Sequence, residues 1–496
     1  MTDLKDSFLA RLRRLDSLAQ ISSLLSWDEQ VNLPPSQASA KQRASQSATL
    51  AEARHREFTS AEFVRNLEKL ETEANPEDAD LQVILRETRR DLDRALLIPS
   101  AFVARRTAAH SAAYHAWKDA RAGNDFSAFA PCLKENLKLA AEEASLTGYA
   151  DNPYDYHVDL HDPGMDAATI RRLFRELRAG LVPLAERILA LADNVSLPPL
   201  RGFPEDKQET FLREVVSSLG FDFARGRLDV ALHPFCSGNA ADTRLTTRYH
   251  PDNPLDSLYS SIHEAGHGLY EQGLPKEWLG TPLAEAAGMA VHESQSRIWE
   301  NQVARSRPFW QRWEPRFREL FSEQLAPFSS EQLLLAVNQV SRNPIRVDAD
   351  EVTYNLHVIL RFELEQDLFS GKLEPDDLPD AWNAKAESIL GLTPRTDAEG
   401  VLQDVHWSGG AFGYFPSYCL GNLLAAQLWR AAEADGAADP LAPERLLSWL
   451  GEKIHRLGRR LSLLDLTLHA TGEPLSAQAL LQYLETRYLS LYQAAS

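Results

Sequence analysis

"PLDSLYSSIHEAGHGLYEQ", residues 254–272, sets apolar or small residues at Leu258, Ile262, Ala265, Gly266 and Leu269. That spacing follows the 3.6-residue period and predicts a helix with one buried face. On such a helix, residues four apart lie one above the other, so His263 and His267 direct their imidazoles at one point. Glu264 sits about 100° around the axis from His263. It is close enough to reach a water at that point without being a ligand itself. Two stacked imidazoles are half of a tetrahedral zinc site, and a neighbouring carboxylate suits a general base acting on water there. The competing reading is an accidental HExxH in a chain with 14 histidines. Against it, unpaired histidines on a buried face are costly.

A catalytic zinc takes a third protein ligand and keeps one position open. Glu271, Glu285, His292, Glu293 and Glu300 are the nearby candidates. "TPLAEAAGMAVHESQSRIWEN" (281–301) reads as a second helix, with Thr281 as N-cap and Pro282 at its first position. Its small residues permit close packing. Glu293, in mid-helix, is the choice for the third ligand, which leaves His292 behind the ligands or facing substrate.

Upstream of the histidine helix the period changes. "LDVAL" and "TRLTTRY" within 228–250 alternate and carry β-branched residues, with "SGNAAD" as a turn between them. A small antiparallel sheet is expected. Elsewhere helices dominate, as in "IRRLFRELRAGLVPLAERILALA" (170–192). The breaks fall at "NLPPSQ", "DNPYD", "LHDPGM", "LPPLRGFPED" and "SRNPIR". These are turns rather than linkers, so residues 1–496 are read as one mainly α catalytic unit, with two helical subdomains flanking a groove as the alternative.

The totals restrict function. A net charge of −19 from 52 Lys and Arg against 71 Asp and Glu opposes binding to nucleic acid or an anionic membrane. No run of about 18 apolar residues is long enough to span a bilayer. The N-terminal "MTDLKDSFLARLRRLD" lacks a secretion signal's apolar core and reads as the first helix. Cys132, Cys236 and Cys419 are far apart with no CxxC pair, so a cytoplasmic setting is expected.

Beyond HEAGH, the chain carries "HPF" (233–235), "DTRLT" (242–246), "HESQ" (292–295), "IRVDAD" (345–350) and "GVLQDVHW" (400–407) in order, with "SWDEQVNLPPSQASAKQ" near its start. Together these resemble the carboxypeptidase Taq family of zinc carboxypeptidases over most of the chain. The resemblance implies a large helical body with a deep central groove, the metal at its floor, and a homodimer. It also implies removal of single residues from peptide C-termini with broad preference. The family's ligand pattern maps onto His263, His267 and Glu293, with zinc or alternatively cobalt as the metal, and its general base maps onto Glu264.

Other motifs have readings of their own. A free terminal carboxylate suits an arginine fork. Arg346 is the first choice for it and Arg244 the second, with Asp242 beside the latter and His233 lining the groove. His406, Tyr414 and Tyr418, in the Gly-rich "QDVHWSGGAFGYFPSY" (403–418), are the candidates to stabilise an oxyanion. The alternatives are an endo-acting or dipeptide-releasing zinc oligopeptidase and, outside enzymes, a helical scaffold with a vestigial motif.

Overall fold

In the structure, a computed structural model that describes residues 2–495, the helical period holds for almost the whole chain. Helices α1 (Thr2–Val31), α2 (Gln37–Phe58), α3 (Ala61–Glu73) and α4 (Ala79–Leu97) come first. They are followed by α5 (Ser100–Gly123), α6 (Ala130–Leu146), α7 (Pro153–His161), α8 (Ala167–Ala192) and α9 (Glu205–Ser218). Strands β1 (Gly226–Val230), β2 (Cys236–Asn239) and β3 (Asp242–Thr247) then lead into α10 (Pro254–Gly273) and α11 (Met289–Arg297). Past a π-helical turn at Ile298–Val303 come α12 (Arg307–Leu320), α13 (Ser322–Leu325), α14 (Ser330–Val337), α15 (Tyr354–Phe369) and α16 (Leu378–Leu390). The chain ends with α17 (Phe415–Ala434), α18 (Pro443–Lys453), α19 (Leu463–Thr471), α20 (Gln478–Leu484) and α21 (Ser490–Ala495), the last two joined by a second π-helical turn at Glu485–Leu489.

The sheet differs from the two-stranded antiparallel expectation. Its order is β1-β3-β2, with β3 central, parallel to β1 and antiparallel to β2. The expected turn "SGNAAD" is half strand. Its true turn lies at Asn239–Asp242, where the Asn239 side chain accepts from the backbone N–H groups of Ala241 and Asp242. The "HPF" segment crosses the sheet end, and Thr246 holds it there by bonds to the backbone of Phe235 in both directions.

The expected helix over 281–301 is also broken. Pro282–Ala284 is a single 3₁₀ turn, and α11 starts only after Gly288. Thr281 provides no cap; its hydroxyl donates to the Trp278 carbonyl. The cap comes from outside the segment: Asp162, just after α7, accepts from the Ala290 N–H at 2.7 Å. The break places Leu283, fully buried, among α1, α3 and α4.

Two apolar cores result. The larger one packs α5–α21 around α10, α11, α15 and α17. The smaller is built from Phe8, Leu12, Phe63, Leu67, Ile84, Leu85 and their neighbours on α1, α3 and α4, with Leu283 as its fully buried contribution from elsewhere. The junction between the two is largely ionic. Arg459 pairs with Glu87 and Asp91 at 3.0 Å, and Arg90 with Asp159 at 3.0 Å. Trp27 of α1 lies against the guanidinium groups of Arg227 and Arg244 on the sheet. Among the described residues, no helix is long and apolar enough to cross a membrane.

Candidate metal centre and active site

The two motif helices meet at their smallest residues. A Cβ on Gly266, between the two histidines, would lie 2.5 Å from the Ser296 Cα and 2.6 Å from the Gln295 carbonyl oxygen. Only glycine lets α10 approach α11 so closely. On the other side, a Cβ on Gly421 of α17 would lie 2.6 Å from the Glu293 Cβ and Cγ. Glu293 is therefore pressed between α10 and α17 and directed at the histidines.

Its Oε2 lies 3.6 Å from the Nε2 of His263 and 3.6 Å from the Nε2 of His267, and all three atoms fall within 4.8 Å of one another. Ligands about 2.1 Å from a tetrahedral ion lie about 3.4 Å apart, so the two carboxylate–imidazole distances already match a divalent cation, while the imidazole pair, within 4.8 Å of each other, would close around it on binding.

Hydrogen bonds behind the donors fix which atoms face inward. His263 Nδ1–H donates to Glu300 Oε2 at 2.9 Å. His267 Nδ1–H donates to His292 Nδ1 at 2.6 Å, and His292 Nε2–H donates to Glu271 Oε1 at 2.9 Å. Both histidines are thus left with a bare Nε2 lone pair, as metal binding requires. Glu293 Oε1 accepts from Arg297 Nε at 2.6 Å, which leaves Oε2 with only a long 3.5 Å contact from the Ser296 hydroxyl. Glu271, His292 and Glu300, weighed from sequence as ligands, stand behind the histidines instead. Glu285 pairs with Arg459 at 2.8 Å, on the N-terminal side.

Electrostatics treat the two histidines differently: His267 is held neutral, whereas the anionic surroundings of His263 favour a cation at its Nε2, a place a metal ion could take from the proton. Burial holds His267 neutral, well below its usual range. Burial also opposes protonation of His263, but the carboxylates of Glu293 and Glu300 outweigh it and raise its pKa. Burial would raise Glu300 too; Arg297, His263 and Arg305 overcome it and keep that group anionic. Glu264 is buried with no compensating guanidinium, and its carboxyl is pushed up to about 7. His263 and Glu264 line a cavity of about 430 Å³ together with Arg297, Asp348, Asp350 and Tyr354.

A second buried cluster contains Arg346. Its Nε and Nη2 donate to Asp404 Oδ1 at 3.0 and 2.8 Å, and its Nη1 to the Tyr354 hydroxyl at 3.2 Å. Two of the five guanidinium N–H groups remain unused. The group lies 5.1 Å from the Tyr418 ring centre and 5.5 Å from that of Phe415. Arg361 grips the other oxygen of Asp404 at 2.6 Å. His406 is kept neutral by burial, with a pKa of about 4, and its Nε2 is 3.5 Å from the Tyr418 hydroxyl. The Tyr414 and Tyr418 rings are 5.3 Å apart. Burial raises both phenols, with Glu293 a further cause in each, so both remain O–H donors at neutral pH.

Arg244 and Asp242 are placed otherwise. Arg244 pairs with Asp242 through two bonds of 3.0 and 2.8 Å and lies 4.3 Å from the Trp27 ring centre. His233 is exposed in the loop after β1. Sequence reading missed Arg297, although its i+4 spacing from Glu293 was a usable signal. It also missed Asp404 and the buried Asp162, whose partners lie 58 and 128 positions away, and Tyr354, eight positions from Arg346.

A helix bearing two bare imidazole nitrogens, a carboxylate from the next helix and a buried acid beside them define a metallopeptidase centre. The chain belongs to the carboxypeptidase Taq (M32) family of metallopeptidases, whose pattern it matches over residues 7–488. It is similar to thermostable carboxypeptidase 1 of Thermus thermophilus, 42% identical over 495 residues and 96% of each chain. Carboxypeptidase 1 of Bacillus subtilis is 34% identical over 98% of each chain. Among solved structures, an M32 carboxypeptidase from Deinococcus radiodurans R1 superposes with a TM-score of 0.95 at 40% identity, covering 99% of this chain and 100% of that one. The chain is thus a peptide hydrolase of the metallocarboxypeptidase type that uses a divalent metal.

Proposed function

We propose that the protein is a zinc carboxypeptidase that removes single residues from peptide C-termini, with His263, His267 and Glu293 as the metal ligands and Glu264 as general base. The observation that carries this is the convergence of two bare Nε2 atoms and one Oε2 within 4.8 Å, with Glu264 buried next to them. When bound, the ion supplies Lewis acidity to a water and to the scissile carbonyl. Glu264 takes the proton from the attacking water and returns it to the departing amine. Burial raises its carboxyl above the usual range, to about 7 without a metal, and a bound dication would draw it back down, so that it is ionised to take the proton. Tyr414, Tyr418 and His406 donate hydrogen bonds to the developing oxyanion. Arg346, pre-oriented by Asp404, offers its two unused N–H groups to the terminal carboxylate. Arg244, Asp242 and His233 form the rim on the sheet side. The same reading carries a broad preference for the terminal residue, a cytoplasmic setting and a homodimer, which the likeness to the family supports.

The test compares a peptide with its C-terminally amidated twin by time-resolved mass spectrometry. Stepwise loss of single residues from the free acid and none from the amide is expected. Equal cleavage of both, or internal fragments, refutes the carboxypeptidase assignment.

A further inference from the structure

Glu300 orients His263, and Glu300 itself sits in the π-helical turn Ile298–Val303. In an α-helix the residue above position 300 is 304; a π turn inserts one residue and brings 305 there instead. The Ala304 N–H to Trp299 O bond of 2.9 Å, five residues apart, marks the insertion. As a result Arg305, not Ala304, faces the cluster. Its Nη2 reaches Glu300 Oε1 at 3.4 Å and its Nε reaches Asn301 Oδ1 at 3.2 Å.

A π turn is intrinsically unfavourable and persists where outside groups hold it. Asn338 and Val337 bond the far end of the turn at Arg305, and its middle is held from 186 residues away: Arg487 Nη1 donates to the Asn301 carbonyl at 2.8 Å. Arg487 lies in the second π turn, Glu485–Leu489, and stacks its guanidinium against the Tyr483 ring at 5.4 Å. A continuous path therefore runs from Arg487 to the Asn301 carbonyl, then through Arg305 and Glu300 to His263.

We propose that Arg487 is a positioning residue for His263: by holding the π turn it keeps Arg305 on Glu300, and Glu300 on the imidazole that faces the metal. The inference rests on the ligand role given to His263 above. Partners standing behind metal ligands typically contribute about 10- to 100-fold in metal affinity.

The test measures Zn²⁺ affinity of the full-length protein by competition with a chromophoric chelator, and the visible absorption of the Co²⁺ form, for Arg487→Met, Arg487→Lys and a His263→Ala control. Arg487→Met is expected to weaken Zn²⁺ about 10-fold or more, to shift the Co²⁺ bands, and to lower kcat with little change in KM. Arg487→Lys, which keeps a cationic donor, is expected to recover most of the affinity. Wild-type affinity and an unchanged Co²⁺ spectrum in Arg487→Met, with His263→Ala defective, overturn this inference alone. Wild-type affinity in His263→Ala overturns the ligand assignment itself. Should Arg487→Met not fold, Arg305→Lys, Arg487→Lys and their double variant decide. Non-additive losses of affinity support a shared path, and additive ones overturn it.

Discussion

Replacing Gly266 by alanine tests whether the contact between α10 and α11 sets the metal geometry. The new Cβ would lie 2.5 Å from the Ser296 Cα, 2.6 Å from the Gln295 oxygen and 3.1 Å from the Ser296 nitrogen, all of them backbone atoms. Carbon contacts are comfortable at about 3.5–4 Å, so the helices must separate by about 1 Å. Glycine to alanine inside a helix ordinarily gains about 1 kcal/mol, whereas overpacking costs about 1–3 kcal/mol, so the metal-free protein changes little or is weakened slightly. The metal suffers more. Its donors already stand 3.6 Å apart, and a further 1 Å exceeds the roughly 3.4 Å a tetrahedral ion spans. Disturbing the supports of metal ligands costs up to about 100-fold in metal affinity. At saturating metal that removes about 2.7 kcal/mol of metal-linked stability. For 496 residues at about 2.1 cal/mol/K each, this corresponds to about 3 °C in Tm. Chelator competition and thermal melts with and without Zn²⁺ provide the measurement. A variant whose Zn²⁺ affinity and kcat/KM stay within about 3-fold of the parent refutes the reasoning.

Glu264→Gln is expected to retain Zn²⁺ while kcat falls by about 100- to 10,000-fold; an active variant removes Glu264 from the role of base. Because this carboxyl accepts a proton only when ionised, kcat/KM is expected to rise with pH through an acid limb. Burial sets the group at about 7 and a neighbouring dication lowers it, so the midpoint of the metal-loaded enzyme should fall below 7; a profile flat from about pH 4 to 7 contradicts this. Asp404→Asn leaves two buried guanidinium groups unneutralised and is expected to cost about 3–5 kcal/mol, or about 3–5 °C in Tm near pH 7. Although burial opposes it, Arg361 and Arg346 hold Asp404 well below the usual carboxylate range. The wild-type advantage is therefore present above about pH 4 and shrinks as pH falls below that value, and an equal gap at pH 3 and 7 in urea unfolding defeats the assignment. Trp27→Ala removes an aromatic ring packed against two arginines and should speed proteolysis within α1 and α2, with kcat unchanged; unaltered cleavage kinetics count against that contact as a tether.

Sequence made legible what is periodic and local. The α10 pattern showed the buried face, and i,i+4 stacking put both imidazoles on it. Glu293 was chosen on a second helix with small residues, where a mid-helix carboxylate could face its neighbour, although that helix starts later than its pattern suggested. The break after Ala284 was not legible, since its cause is Leu283 inserting into a core built from the first hundred residues. Nor was the parallel pairing of β1 with β3, because the intervening β2 looked like turn chemistry in "SGNAAD". Arg346 was found as a cation but not as one already held by Asp404, a partner 58 positions away. Pairings at such separations leave no periodic trace. The π turn was hidden for a different reason: an inserted residue in a helix alters register without altering composition.

The smaller core of α1, α3 and α4 borrows one fully buried side chain, Leu283, with Trp278 packed beside it, and its border with the larger core also carries the ion pairs of Arg459 and Arg90. Concentrated sulfate screens such pairs while strengthening apolar burial, so the two cores respond to it in opposite senses at their border and alike in their interiors. A calorimetric scan that is one transition in dilute buffer should therefore split in concentrated sulfate, with the histidine helix keeping its shape after the first hundred residues have come away.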